Sequence, residues 1–172
     1  MADVAGWLVR RRVALGAVLV ALALVLARPT WFWWSIGLVV ACVGAGLRIW
    51  AAGHLEKNRE VTTSGPYRFM RHPLYVGTTI LAFGAIIAVH NRYVGLLAAL
   101  YMATAFPAAI QAEETHLRSV FGDLYDRYTR DEAPRVERRF SLERALRNKE
   151  YRAVSGVALG FGILALRLLI PL

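Results

Sequence analysis

Residues 64–77 read Ser64-Gly65-Pro66-Tyr67-Arg68-Phe69-Met70-Arg71-His72-Pro73-Leu74-Tyr75-Val76-Gly77, and they lead without interruption into an apolar run that ends at Val89. Gly65-Pro66 reads as a turn, because glycine is permissive and proline fixes φ. Pro73 then opens a helix, where its missing N–H would have had no partner in any case. The backbone N–H groups that follow, near Leu74 and Tyr75, make a small anion site, with Arg71 and His72 beside it. A turn, a basic cluster, a histidine and two tyrosines are thereby placed where a helix apolar enough for a bilayer begins.

Four more apolar runs flank this one: Val13 to Ala27, Trp31 to Leu47, Tyr93 to Ala112 and Ala153 to Leu172. Some fall short of the roughly 20 residues that a span needs, and terminal arginines and aromatics make up the difference. Trp31 to Trp34 read as an aromatic belt. The hydrophobic share is 57% over 172 residues, above the roughly 45–50% of soluble domains. The expected fold is all-α: a polytopic membrane bundle of five helices forming a single domain over 1–172, with a cofactor pocket on its cytoplasmic side. The first run resembles a signal peptide in its basic start at Arg10 to Arg12, but the turn Arg28-Pro29-Thr30 into the next run favours a retained hairpin.

The net charge is +9, and its placement is uneven. Arg10 to Arg12, Lys57, Arg59, Arg68 and Arg71, and ten basic residues from Arg118 to Arg152 fall on alternate connections. The other connections carry only Arg28 and Arg92. The bias puts the N-terminus inside and the C-terminus outside. It accounts for the charge through topology and anionic lipid, and leaves nothing for a nucleic-acid role. The composition suits a prokaryotic inner membrane. Arg48 and Arg167 lie in or near apolar runs. Arg167 reads as a snorkelling end residue, and Arg48 as either that or part of a pocket with His54 and Glu56 nearby. Cys42 reads as a packed thiol, and with a single cysteine no cysteine-cluster metal site is expected. Gly156 and Gly160 form a small-xxx-small pair suited to packing within the bundle or in a homodimer.

A second polar segment starts at Glu113-Glu114. Glu114, Leu117, Phe121, Leu124, Tyr125 and Tyr128 recur at helical spacing, and Gly122-Asp123 is placed to split that helix in two. An interfacial helix explains the stripe. It leaves two adjacent carboxylates at the membrane boundary without partners, so they call for a protein cation or a ligand ammonium.

These two segments resemble the isoprenylcysteine carboxyl methyltransferase and phospholipid methyltransferase superfamily of integral membrane enzymes. The likeness covers about Arg48 to Arg135. It rests on Ser64-Gly65-Pro66-Tyr67, on Arg71-His72-Pro73-Leu74-Tyr75-Val76-Gly77, and on Glu113-Glu114 followed by Leu117, Phe121-Gly122, Tyr125, Tyr128 and Pro134-Arg135. The resemblance implies S-adenosylmethionine as cofactor. Tyr67, His72, Pro73, Leu74 and Tyr75 match its cofactor positions, Arg59, Glu60, Val61 and Thr62 a further lining stretch, and Glu113 an acid that contacts the cofactor. The prenylcysteine enzymes carry an arginine one turn before that acid, where this chain has Ala108-Ala109-Ile110-Gln111.

The implied chemistry suits the residues. The cofactor's carboxylate fits the helix start at Pro73 with His72, and its ammonium fits Glu113 or Glu114. A protonated acceptor needs a base, for which Glu113 or His72 qualifies. The expected function is methyl transfer to a lipidic or small apolar acceptor at the inner leaflet, with membrane lipids as neighbours. Two other classes fit less well. A sterol-type reductase using NADPH would bring a Pro-Asn-Tyr pattern and extra basic contacts for a 2′-phosphate. A non-catalytic membrane scaffold leaves the paired motifs without a purpose.

Overall fold

The computed structural model describes residues 2–170, and every regular element among them is helical. Seven α-helices follow in order: α1 Ala2–Leu26, α2 Trp31–Ala52, α3 Pro73–Val89, α4 Arg92–Phe121, α5 Asp123–Thr129, α6 Leu142–Arg147 and α7 Tyr151–Leu169, with a 3-10 turn at Gly65–Arg68 before α3. Helices α2, α4 and α7 are long and apolar enough to cross a membrane, and Val13–Leu26 and Pro73–Val89 are shorter apolar helices. The fifth expected span, 153–172, ends on Pro171 and Leu172, which lie outside the described residues.

Helix starts follow local chemistry. Thr30 Oγ1 accepts the Trp33 N–H at 3.4 Å to cap α2, and Asn91 Oδ1 accepts from Tyr93 and Val94 at 3.0 and 3.3 Å to cap α4. Both satisfy donors that a helix start leaves unpaired. His72 and Pro73 start α3 as expected. Two helices outrun their apolar stretches: α2 continues past Leu47 to Ala52, and α4 past Ala112 to Phe121. Hydropathy marks where a helix leaves the apolar layer, while its hydrogen bonds continue into the polar one.

Helices α2 and α3 are in backbone contact. A Cβ at Gly44 would lie 2.4 Å from the Leu81 nitrogen and 2.6 Å from the Gly77 oxygen, and one at Gly84 2.4 Å from the Ala41 nitrogen. Small residues at a helix crossing allow this approach. The hydrophobic core joins Ala41, Ala88, Val94, Phe161 and Leu164, and Trp34 Nε1 donates to the Phe161 carbonyl at 3.0 Å.

Several sequence readings are refined. The belt is divided: Trp31 and Phe32 face outward, while Trp34 turns into the core. Arg167 donates to carbonyls in the last turn of α1, at Leu24 and at Val25, which ties the end of α7 to the end of α1. Cys42 is exposed on α2 rather than packed. Gly156 and Gly160 take no part in packing within the bundle, since a Cβ on either would meet nothing of this chain within 4 Å.

Candidate active site

Four parts of the chain converge at one end of the bundle: the loop after α2, the start of α3, the end of α4 with α5, and the segment before α7. Between them lies a cavity of about 580 Å³, within the roughly 300–1,000 Å³ of small-molecule sites. Of the eleven residues singled out in the sequence, seven line it: Glu60, Val61, Thr62, Tyr67, Leu74, Tyr75 and Glu113. Arg59, His72, Pro73 and Glu114 stand outside the lining.

The two adjacent glutamates have separate surroundings. Glu114 Oε1 accepts from His72 Nε2 at 2.9 Å, with Arg71 at 3.9 Å. Its other oxygen meets Arg118 at 3.5 Å. The expected cationic partners are thus supplied by the protein for Glu114, which locks the end of α4 to the start of α3. Glu113 faces the cavity. The Tyr75 N–H, expected as part of an open anion site, bonds the His72 carbonyl at 3.1 Å.

Tyr67 sits on the wall opposite, carried by the 3-10 turn. Burial first, and the Glu113 charge second, push its hydroxyl above the ordinary value of 10, so it stays a neutral donor at physiological pH. Gly122, at φ 53 and ψ −129, ends α4 and turns the chain into α5. That turn brings Tyr125 and Tyr128 over the cavity. Tyr128 donates to the Tyr67 carbonyl at 3.0 Å, and burial raises its own hydroxyl to about 12. The stripe read as an interfacial face is therefore turned onto the cavity at Tyr125 and Tyr128.

Other lining residues were not among the candidates singled out as a site, Glu150, Glu56 and Asn148 among them. Glu150 is buried and binds Arg48 through two contacts, Nη2–Oε1 at 2.8 Å and Nε–Oε2 at 3.1 Å. Arg48 donates a third bond to Thr78 Oγ1, which settles its place as a pocket residue. Glu56 meets Arg144 at 2.8 Å, Arg138 at 3.0 Å and Arg147 at 3.2 Å. Asn148 Nδ2 donates to the Ala52 and Leu55 carbonyls, both at 2.9 Å. Glu150 sits in a charged tract three residues before an apolar run, which gave no sign that it pairs with Arg48. The partners of Glu56 lie about 90 residues away and left no local pattern.

The phospholipid methyltransferase family model matches residues 11–124, the segment that carries α1 through the start of α5. The chain belongs to this family. Relatives similar to this chain include a protein-S-isoprenylcysteine O-methyltransferase of Schizosaccharomyces pombe, 38% identical over 77 residues, which cover 45% of this chain and 33% of that one. The cobalt-zinc-cadmium resistance protein CzcN of Cupriavidus metallidurans is 35% identical over 105 residues, 59% of this chain and 47% of its own. The nickel-cobalt-cadmium resistance protein NccN of Alcaligenes xylosoxydans xylosoxydans is 31% identical over 154 residues, 81% of this chain and 70% of its own. The chain thus spans less than half the length of the first two relatives. No solved structure matches it. The family match ends at Leu124, so Tyr125, Tyr128, Asn148 and Glu150 of the cavity lie beyond it.

Proposed function

We propose that this protein is an integral membrane methyltransferase that uses S-adenosylmethionine. It carries five spans, with the cavity at the inner leaflet of a prokaryotic inner membrane and a lipidic or small apolar acceptor. The observation that carries this reading is the shared cavity. Tyr67 and Leu74-Tyr75 from one motif face Glu113 from the other, across a hollow large enough for a cofactor.

The donor set fits the cofactor. Glu113 is the carboxylate for its ammonium, since Glu114 is held by His72, Arg71 and Arg118. Arg71 lines the cavity, and its 3.9 Å contact with Glu114 leaves it donors for a ligand carboxylate. Bound here, S-adenosylmethionine supplies an electrophilic methyl group on a sulfonium whose positive charge disappears on transfer. A carboxylate against that sulfonium would stabilise the ground state more than the transition state, so Glu113 serves binding first. Holding donor and acceptor in line is the main catalytic device, capable of roughly 7–11 kcal/mol, with Tyr125 and Tyr128 excluding water. For an acceptor that must lose a proton, Glu113 is the base within the cavity. His72 acts on the reaction from outside, by holding Glu114.

The names of the two metal-resistance relatives give no reaction. The reading of methyl transfer rests on the family match and on the residues that line the cavity.

Two measurements test it. Purified protein in detergent should bind S-adenosylmethionine with no comparable affinity for NADPH; the reverse preference would replace this reading with a reductase. Membranes given methyl-labelled S-adenosylmethionine should transfer label to a lipid or small-molecule fraction, and Glu113→Gln should reduce the transfer markedly at low S-adenosylmethionine concentration.

A further inference from the structure

A second cavity, of about 300 Å³, lies behind the first. Four arginines line it, Arg68, Arg135, Arg138 and Arg139, with Glu137 as the opposing acid. Two of these arginines are committed. Arg138 binds Glu60 at 2.7 Å and Glu56 at 3.0 Å, and Arg135 reaches Asp131 at 3.6 Å. Arg68 and Arg139 are exposed, and among the described residues neither has an ion-pair partner. The notch is firmly built. Thr63 Oγ1 accepts the Val136 N–H at 2.8 Å and donates to the Pro134 carbonyl at 3.4 Å, which fixes the strand of arginines against the Ser64-Gly65 turn.

Like-charged side chains gathered around a concave space repel unless something anionic joins them. Guanidinium groups match phosphate oxygens in two-point contacts. The notch is at the same end of the bundle as the cytoplasmic segments, and its neighbours Phe69 and Val136 are apolar and exposed, at 77% and 43%. A phosphate carried by a lipid would find its charge met by Arg68 and Arg139 while those two side chains meet the acyl region.

We propose that this notch is a binding site for a phosphate group, separate from the cavity that faces Glu113. The occupant is an anionic lipid headgroup or a free phosphate, and either would use Arg68 and Arg139. Arg138 stands between the two hollows, so the occupant lies one side chain away from Glu56 and Glu60 of the first cavity wall.

The test uses the full chain in neutral detergent, offered phosphatidylglycerol and phosphatidylcholine in equal amounts, with retained lipid counted by native mass spectrometry. The wild type should keep phosphatidylglycerol in preference. The double variant Arg68→Gln/Arg139→Gln should keep at least about tenfold less. Arg130→Gln removes an exposed arginine outside the notch and should keep as much as wild type. Inorganic phosphate at millimolar concentration distinguishes the sources: displacement of the lipid shows a site for phosphate in either form, and retention shows a site that needs the lipid. Equal retention by wild type and double variant, equal loss in Arg130→Gln, or no anion retained by the wild type overturns the proposal. None of these readouts involves methyl transfer, so failure here leaves the function of the first cavity untouched.

Discussion

The guanidinium of Arg48 and the carboxylate of Glu150 meet at 2.8 Å across 102 residues of sequence, joining the C-terminal part of α2 to the residue that caps the start of α7. Glu150 keeps 7% of its side-chain exposure and Arg48 20%. Removing one partner strands the other charge where water is scarce. Fully buried pairs cost roughly 3–5 kcal/mol when broken this way; with Arg48 partly exposed, Arg48→Ala is expected to lose about 2–3 kcal/mol. Glu150→Gln should lose less, because the amide still accepts a hydrogen bond. Unfolding midpoints in mixed micelles check both, and a double replacement by apolar residues should recover part of the loss.

The glycines divide into two groups. Gly84→Ala puts a methyl group 2.4 Å from the Ala41 nitrogen and 2.5 Å from the Gly37 oxygen. Helices α2 and α3 must separate, at about 1–3 kcal/mol. Gly160→Ala meets nothing within 4 Å and gains helix propensity, worth up to about 1 kcal/mol. Thermal unfolding of the two variants should therefore shift in opposite directions.

Glu113 and Glu114 are adjacent in sequence and differ in consequence. Glu113→Gln should weaken S-adenosylmethionine binding by about tenfold or more, the scale of one charge-assisted contact, with little change in stability. Glu114→Gln removes the negative charge that His72, Arg71 and Arg118 share and leaves one acceptor oxygen in place of two. It should lower the unfolding midpoint, with a smaller effect on affinity. Calorimetric binding beside thermal unfolding separates the two, and equal effects on both readouts in both variants would remove the distinction.

Acid should act through Glu56. The Arg144 hydrogen bond, ahead of the charges of Arg147, Arg144 and Arg138, holds its carboxyl below the ordinary 4.5. A depressed folded value means that the unfolded state binds the proton more readily. The stabilisation is therefore present above about pH 4.5 and is lost as pH falls through the lower folded value. The fall in stability from neutral pH to about pH 3 should be shallower in Glu56→Gln, as read from the pH dependence of the unfolding midpoint. An identical profile would show that the three arginines do not act on this carboxylate.

Local features were legible from the chain alone. His72-Pro73 announced the start of α3, Gly122 the break between α4 and α5, and the apolar runs the helical architecture. Each depends on neighbours within a turn or two. What escaped reading depends on distant pairing. The sequence could show that Glu113 and Glu114 needed cations, but not that His72, 42 residues earlier, would take Glu114 and leave Glu113 facing the cavity. Tyr125 and Tyr128 looked interfacial because a stripe gives the same pattern whether it meets lipid or the wall of a hollow. Glu150 and Asn148 were hidden in a charged tract whose fold is set by the carbonyls at the end of α2.

The contact of α2 with α3 at Gly37, Gly44, Gly77 and Gly84 has a final implication for traffic. Where backbone touches backbone, no acyl chain can pass, so that seam is closed to anything dissolved in the bilayer. The side toward α4 is built differently: Ala109 and Ala112 line the cavity where longer side chains would obstruct it. A bulkier side chain at either position would take room from the chamber itself while leaving the sealed seam between α2 and α3 as it is.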